Sequence, residues 1–236
     1  MKSGFQFLLW KTMNQALILP LMRKLQRLAR DADTIEQAVD LALSFKYLGV
    51  SIAPLQIREE ITMLLRIVKE LKPRVVLEIG TAKGGTLFLF TRVASSDGTL
   101  ISIDLPGGPF GGGHPAWMAR FIRSFEKSEQ SIHLVRADSH ALNTLLQVEQ
   151  IIGRTKVDFL FIDGDHSFEG VKKDFEMYSP LVRPGGVVAF HDICLGPPEN
   201  VGGVPVFWRD VSKEHKCMSI VKDNSQDGYG IGLLHV

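Results

Sequence analysis

The 236-residue chain is short of cysteine, of net charge and of long apolar runs, and each shortage removes a class of protein. Cys194 and Cys217 are its two cysteines and form no CxxC pair, which argues against a disulfide framework or a cysteine-built zinc site and fits a reducing, cytoplasmic setting. A net charge of +1 offers no electrostatic footprint for nucleic acid or an acidic membrane, so neither is expected as a partner. The apolar stretches "FQFLLW" and "ALILPLM" are separated by Lys11, Asn14 and Gln15. Neither approaches the roughly 20 residues that cross a bilayer, and no signal-peptide pattern is evident. These stretches read as an amphipathic helix that packs on the domain or on a second subunit, the latter giving a homo-oligomer, while Lys11, Arg23, Lys24, Arg27 and Arg30 beside them would suit a membrane surface. A helix lying on a membrane surface is the alternative.

What is present is an alternation of strands and helices. Residues 1–50 read as helical, with "TIEQAVDLALSF" opening on a capping-type Asp33/Thr34. Pro54 suits the first turn of a further helix that stops before Pro73. Apolar runs then recur as strands at 74–80, 99–105, 132–138, 157–163 and 185–192, each followed by helical periodicity or a Gly/Pro-rich loop. "CMSIVKD" and "YGIGLLHV" close the chain as two strands joined by "NSQDG", which has room for a hairpin but not for a crossover helix. The expected fold is α/β: a doubly wound, Rossmann-like sheet with an antiparallel last strand. No repeat or low-complexity linker interrupts it, so the organisation reads as a helical extension over 1–53 and one domain over 54–236.

The first strand turn, "VLEIGTAKGGT", sits where an α/β sheet binds nucleotides. Gly80, Ala82 and Gly85 nearly match G-x-G-x-x-G, but Ala82 stands where a glycine would admit a pyrophosphate. Glu78 adds a negative charge that a diphosphate would avoid and a cation would favour. Asp104 ends the second strand, the expected place for a carboxylate on ribose hydroxyls. A cationic nucleoside without phosphate is S-adenosylmethionine. With "ISIDLPGG", "RADSH", the long block "VDFLFIDGDHSFEGVKKDFEMYSPLVRPGGVVAFHDI" and the closing "GYGIGLL", the chain from residue 54 onward resembles class I S-adenosylmethionine-dependent methyltransferases. More narrowly it resembles their small-molecule O-methyltransferase branch, which includes cephalosporin-hydroxylase-like and metal-dependent proteins.

The resemblance implies a seven-stranded sheet and O-methylation of a small-molecule acceptor. It implies that Glu78, Gly80 and Thr81 meet the methionine and ribose side of the cofactor, with Gly84, Gly85 and Thr86 in the same turn. Asp104 would take the ribose hydroxyls, and Asp138 with Ser139 would approach the adenine. A doubly wound order brings Asp163, at the end of the fourth strand, close to His191 and Asp192, at the end of the fifth. Two carboxylates about 4 Å apart repel by roughly 4 kcal/mol at an effective dielectric near 20, and a divalent cation reverses that sign. Asp163, His191 and Asp192 therefore form the expected ligand set for Mg²⁺ or Mn²⁺, and His191, where relatives usually offer a carboxylate, favours softer metals than Mg²⁺. His166 stands at the spacing from Asp163 at which catechol-type relatives place a base, so His166, Asp163 and Asp192 form the expected catalytic set. The loops 106–115 and 195–205 read as lids, with His114, Trp117, Phe207 and Trp208 as candidate lining. A nicotinamide-dependent oxidoreductase and a non-catalytic nucleoside-binding protein are the competing readings.

Overall fold

The computed structural model describes residues 4–107 and 113–236, and for residues 4–16 the backbone alone. Two helices open the chain, α1 (Gly4–Arg30) and α2 (Ile35–Ser44). Thr34 begins α2 with a capping box: its hydroxyl accepts the Gln37 N–H at 3.2 Å, and Gln37 Oε1 accepts the Thr34 N–H at 3.0 Å. Helical spacing fails beyond Ser44. Residues 46–51 instead form a small hairpin, β1 (Lys46–Tyr47) and β2 (Val50–Ser51), because Leu48 and Gly49 turn the chain at φ of 50° and 77°.

The helix expected from Pro54 starts later, as α3 (Arg58–Leu71). Residues 52–57 are pressed instead against the start of α4 (Gly85–Val93), where a Cβ on Gly85 would lie 2.1 Å from the Ile52 carbonyl oxygen. Glycine at that position is required by the approach of this segment. The close approach needs no bound molecule.

The main sheet contains β3 (Val75–Ile79), β4 (Thr99–Asp104), β5 (Ser131–Arg136), β6 (Val157–Ile162), β7 (Val182–His191), β8 (Cys217–Ile220) and β9 (Ile231–His235). Its order is β5-β4-β3-β6-β7-β9-β8, parallel except that β9 runs antiparallel to both neighbours. This is the class I methyltransferase arrangement with its reversed strand, as the hairpin-length link requires. Both faces of the sheet are covered, so the strands read as continuous apolar runs. Phe159, Phe161 and Ala189 face the layer built by α1–α4 and α5 (Ala119–Arg123). Leu160, Ile162, Val188 and Phe190 face the layer built by α6 (Leu142–Ile152), α7 (Phe168–Tyr178) and α9 (Val204–Val211). The N-terminal helices share this core through Leu21, Leu25, Ala38 and Val39.

Phe207 and Trp208 belong to that second layer, packed on Phe190, which removes them from any acceptor lining. Trp117 packs against the first layer, and His114 is buried with neither ring nitrogen hydrogen-bonded. Part of the proposed lid at 106–115 falls on residues 108–112, outside the described residues. The other carries a short helix, α8 (Pro198–Val201). Among the described residues no helix is long and apolar enough to cross a membrane.

Candidate active site at the carboxyl ends of the central strands

Strand order reverses between β3 and β6, the place at which doubly wound sheets bind their ligands. The turn after β3 contains three left-handed residues, Gly80, Ala82 and Gly84, with φ of 97°, 43° and 83°. Ala82 thus takes the backbone that glycine adopts without strain, at a cost of about 1 kcal/mol. Asp104 holds the turn in place. Its Oδ2 accepts the N–H groups of Thr81 at 2.8 Å and Ala82 at 2.7 Å. Burial moves the Asp104 carboxyl upward despite those bonds.

Glu78 is closed off from solvent, with one oxygen accepting the Thr86 hydroxyl and the other accepting the Ser102 hydroxyl at 2.5 Å. Thr81 joins the same group through a 2.5 Å hydroxyl contact with Ser102. Burial pushes Glu78 up to about 8, against the pull of its two hydroxyl donors. An unfolded chain ionises this residue near its ordinary value, whereas the folded one keeps the proton to about pH 8. The folded state then binds more protons across that window, so stability falls as pH rises from about 4.5 to 8, by at most about 1.4 kcal/mol per pH unit. The stability difference between the unliganded wild type and Glu78→Gln, measured by thermal denaturation between pH 5 and 8, should fall with this slope, since His114, His166 and His191 titrate alike in both. An equally steep slope in the variant would assign the effect elsewhere.

The ends of β6 and β7 carry the remaining charges. His191 Nδ1 lies 3.2 Å from Asp163 Oδ1 and 3.3 Å from Asp192 Oδ2. His166 reaches the same carboxylates, Nε2 to Asp163 Oδ1 at 3.4 Å and Nδ1 to Asp192 Oδ2 at 3.4 Å. One ligand atom from each of Asp163, His191 and Asp192 lies within 4.8 Å of the others, a separation one cation can span. The topology therefore brings together all four residues expected here. It also changes the electrostatic argument, because the carboxylate repulsion is already met by two imidazoles. Burial would lower His191, but the Asp163 charge and the bonds to both carboxylates raise it to about 10. His166 likewise rises to about 9, against burial, through its bond to Asp163 and that residue's charge. Burial would raise Asp163, yet the two histidines hold it down to about 2.

Strain accompanies this cluster. Asp192 has a φ of 60°, and Tyr229, whose ring centroid is 6.0 Å from that of His191, has a φ of 59°. The Tyr229 carbonyl accepts the Cys194 N–H at 2.9 Å, and the next residue is fixed by Glu60. Buried on α3, Glu60 accepts the N–H groups of Lys222 and Gly230, each at 3.0 Å, and the Gln226 amide at 2.8 Å. Sequence reasoning missed Glu60, although a carboxylate on the apolar stripe shared with Ile61, Leu64 and Val68 is a readable signal. It also missed Gln56, whose Nε2 donates to Asp163 Oδ2 at 3.2 Å. Nothing local in "APLQIRE" marks that residue.

Asp138 and Ser139 follow β5 on the far side of the turn. Asp138 is exposed and its Oδ1 accepts the His140 N–H at 2.8 Å, which delays α6 until Leu142. The Ser139 carbonyl accepts the Tyr178 hydroxyl at 2.7 Å. Gly84 packs toward Phe125, and Asp165 serves the next turn by accepting the Ser167 N–H at 2.8 Å.

Residues 77–193 match a family model described as a methyltransferase domain. That stretch runs from within β3 to just past Asp192, so it contains the turn and the charged cluster alike. An uncharacterized protein of Sinorhizobium fredii is 27% identical over 170 residues, which is 71% of this chain and 18% of that protein. One from Acanthamoeba polyphaga mimivirus is 28% identical over 49% of this chain and 50% of its own length. The chain thus spans at most half the length of these curated relatives. Among solved structures, an O-methyltransferase from Bacillus cereus in complex with SAH superposes with a TM-score of 0.56 at 18% identity, covering 92% of this chain and 91% of that one. TomG, an O-methyltransferase from Streptomyces achromogenes involved in tomaymycin synthesis and solved with SAM, gives 0.56 at 20% identity over 86% and 88% of the two chains. The likeness to both is one of fold.

Proposed function

We propose that this chain, class I in fold and matched over residues 77–193 to a methyltransferase domain, transfers the methyl group of S-adenosylmethionine to a hydroxyl of a small molecule. One observation carries the reading: the nucleoside-type turn and the charged cluster touch. A Cβ on Gly80 would lie 2.0 Å from the Asp163 carbonyl oxygen, so a cofactor on the turn and an acceptor at the cluster would be neighbours. Methyl transfer asks mainly for such alignment and for removal of one proton, because the sulfonium carbon is already electrophilic.

In this reading Asp104, anchored through Oδ2, takes the ribose hydroxyls, and Asp138 with Ser139 flanks the adenine. Gly80, Thr81, Gly84, Gly85 and Thr86 shape the methionine side, with Glu78 bracing Thr86 from below. His166 is the base. The Asn200 carbonyl lies 2.5 Å from its Nδ1, which places the hydrogen of the neutral ring there and leaves the Nε2 lone pair directed toward Asp163. The neutral ring is the minor form below about pH 9, so transfer is expected to rise with pH toward that value, with Nε2 the atom that accepts the acceptor's proton. Asp163, His191 and Asp192 fit a divalent cation, and their imidazole donor suits Mn²⁺ better than Mg²⁺. When bound, such a cation would supply a Lewis acid for the acceptor oxygen.

Calorimetric titration with S-adenosylhomocysteine, with and without Mn²⁺, tests the proposal. Saturable one-to-one binding is expected, with no measurable binding of NADH. Binding of NADH in its place would return the chain to the oxidoreductase reading, and binding of neither would defeat a nucleoside site.

A further inference from the structure

The geometry points to Gln56, contributed by the segment before α3, as a fourth protein ligand of the divalent-cation site, reached by rotation of its side-chain amide. The inference rests on the cation reading above. In this structure Gln56 is 8% exposed and its Nε2 donates to Asp163 Oδ2 at 3.2 Å. Its Oε1 is buried without a hydrogen-bond partner, as is His191 Nε2 in the same cluster. An orphaned buried carbonyl costs about 1–3 kcal/mol, so the observed orientation satisfies the amide nitrogen at the expense of its oxygen.

Rotation by half a turn about the last side-chain bond exchanges the two atoms. Oε1 would then stand where Nε2 is now, 3.2 Å from a carboxylate oxygen. Two oxygens at that separation repel with nothing between them. They suit a shared cation, since adjacent ligands at about 2.1 Å from an octahedral centre are about 3 Å apart. The neutral amide oxygen adds to a set of two carboxylates and one imidazole without raising its charge. Gln56 is held in reach by the packing of Ile52 and Pro54 on Gly85, so the segment that crosses the cofactor turn also completes the cation site.

Mn²⁺ binding, counted by electron paramagnetic resonance of the free ion, separates a ligand from a simple hydrogen-bond donor. As a ligand, Gln56→Leu should weaken Mn²⁺ binding more than tenfold, and Gln56→Glu should restore or exceed the wild-type affinity. As a donor to Asp163 alone, Gln56→Leu would free that carboxylate and leave Mn²⁺ affinity unchanged or tighter, which would overturn the inference. Failure of the wild-type protein to bind Mn²⁺ would overturn the cation reading itself, and this inference with it. Unaltered thermal denaturation of both variants is the expected control. If Gln56→Leu fails to fold, Gln56→Glu decides alone: affinity below wild type would overturn the assignment.

Discussion

Asp192→Asn is expected to reduce methyl transfer about a thousandfold while S-adenosylhomocysteine affinity changes by less than about threefold. The substitution is chosen for its backbone. Asp192 has a φ of 60°, a conformation asparagine tolerates better than alanine, so the turn after β7 should survive. What disappears is one of the two negative charges shared by His166 and His191. With a single carboxylate facing two imidazoles, both rings keep the larger contribution, that of Asp163, and lose that of Asp192, and under the proposed function the site loses a cation ligand together with a partner of the base. The turn after β3 is untouched, since its contact with the cluster runs through the backbone of Asp163. Single-turnover transfer to an acceptor that the wild-type protein methylates, measured beside calorimetry, separates the two effects. Undiminished transfer would remove Asp192 from the chemistry, and lost homocysteine-analogue binding would show that the cluster belongs to the cofactor site.

The second large effect is expected at Gly80. Its φ of 97° disfavours any side chain, and the added Cβ would meet the Asp163 carbonyl oxygen at 2.0 Å. Neither backbone has room to yield, because Gly80 N–H is bonded to Ile103 and Asp163 N–H to Ile79, each at 2.8 Å. Gly80→Ala should therefore lose about 3 kcal/mol of stability, an apparent Tm decrease of roughly 6–12 °C, and should lose S-adenosylhomocysteine binding. Gly49→Ala is the matched control. That glycine also has a positive φ, 77°, but nothing lies within 4 Å of its added Cβ. It should lose only about 1 kcal/mol and bind normally. Equal losses in the two variants would show that backbone strain alone, without the contact to Asp163, accounts for Gly80.

Much of this site is legible in the sequence alone. Apolar runs ending in Asp104, Asp163 and His191–Asp192 mark strand ends, and the doubly wound order follows from alternating strands and helices. The short link "NSQDG" determined the reversed last strand, since only a hairpin fits it. These are local or topological facts, carried by periodicity and loop length.

The charge balance was not legible. Acids at neighbouring strand ends suggested repulsion awaiting a cation, yet His166 and His191 each lie within 3.4 Å of both carboxylates and neutralise them inside the chain. Glu78 likewise reads as a negative wall for the ligand, and folding turns it inward onto Ser102 and Thr86, where burial favours its proton. Gln56 and Glu60 reach partners 107 and as many as 170 residues away, a separation over which no local pattern operates. The sequence by itself determined which strands form the main sheet, in what class of sheet, and which side chains stand at their ends. Only the tertiary structure decided their protonation and partners, because ionisation depends on desolvation and on charges within a few ångströms, and those distances exist only after the strands have been brought side by side.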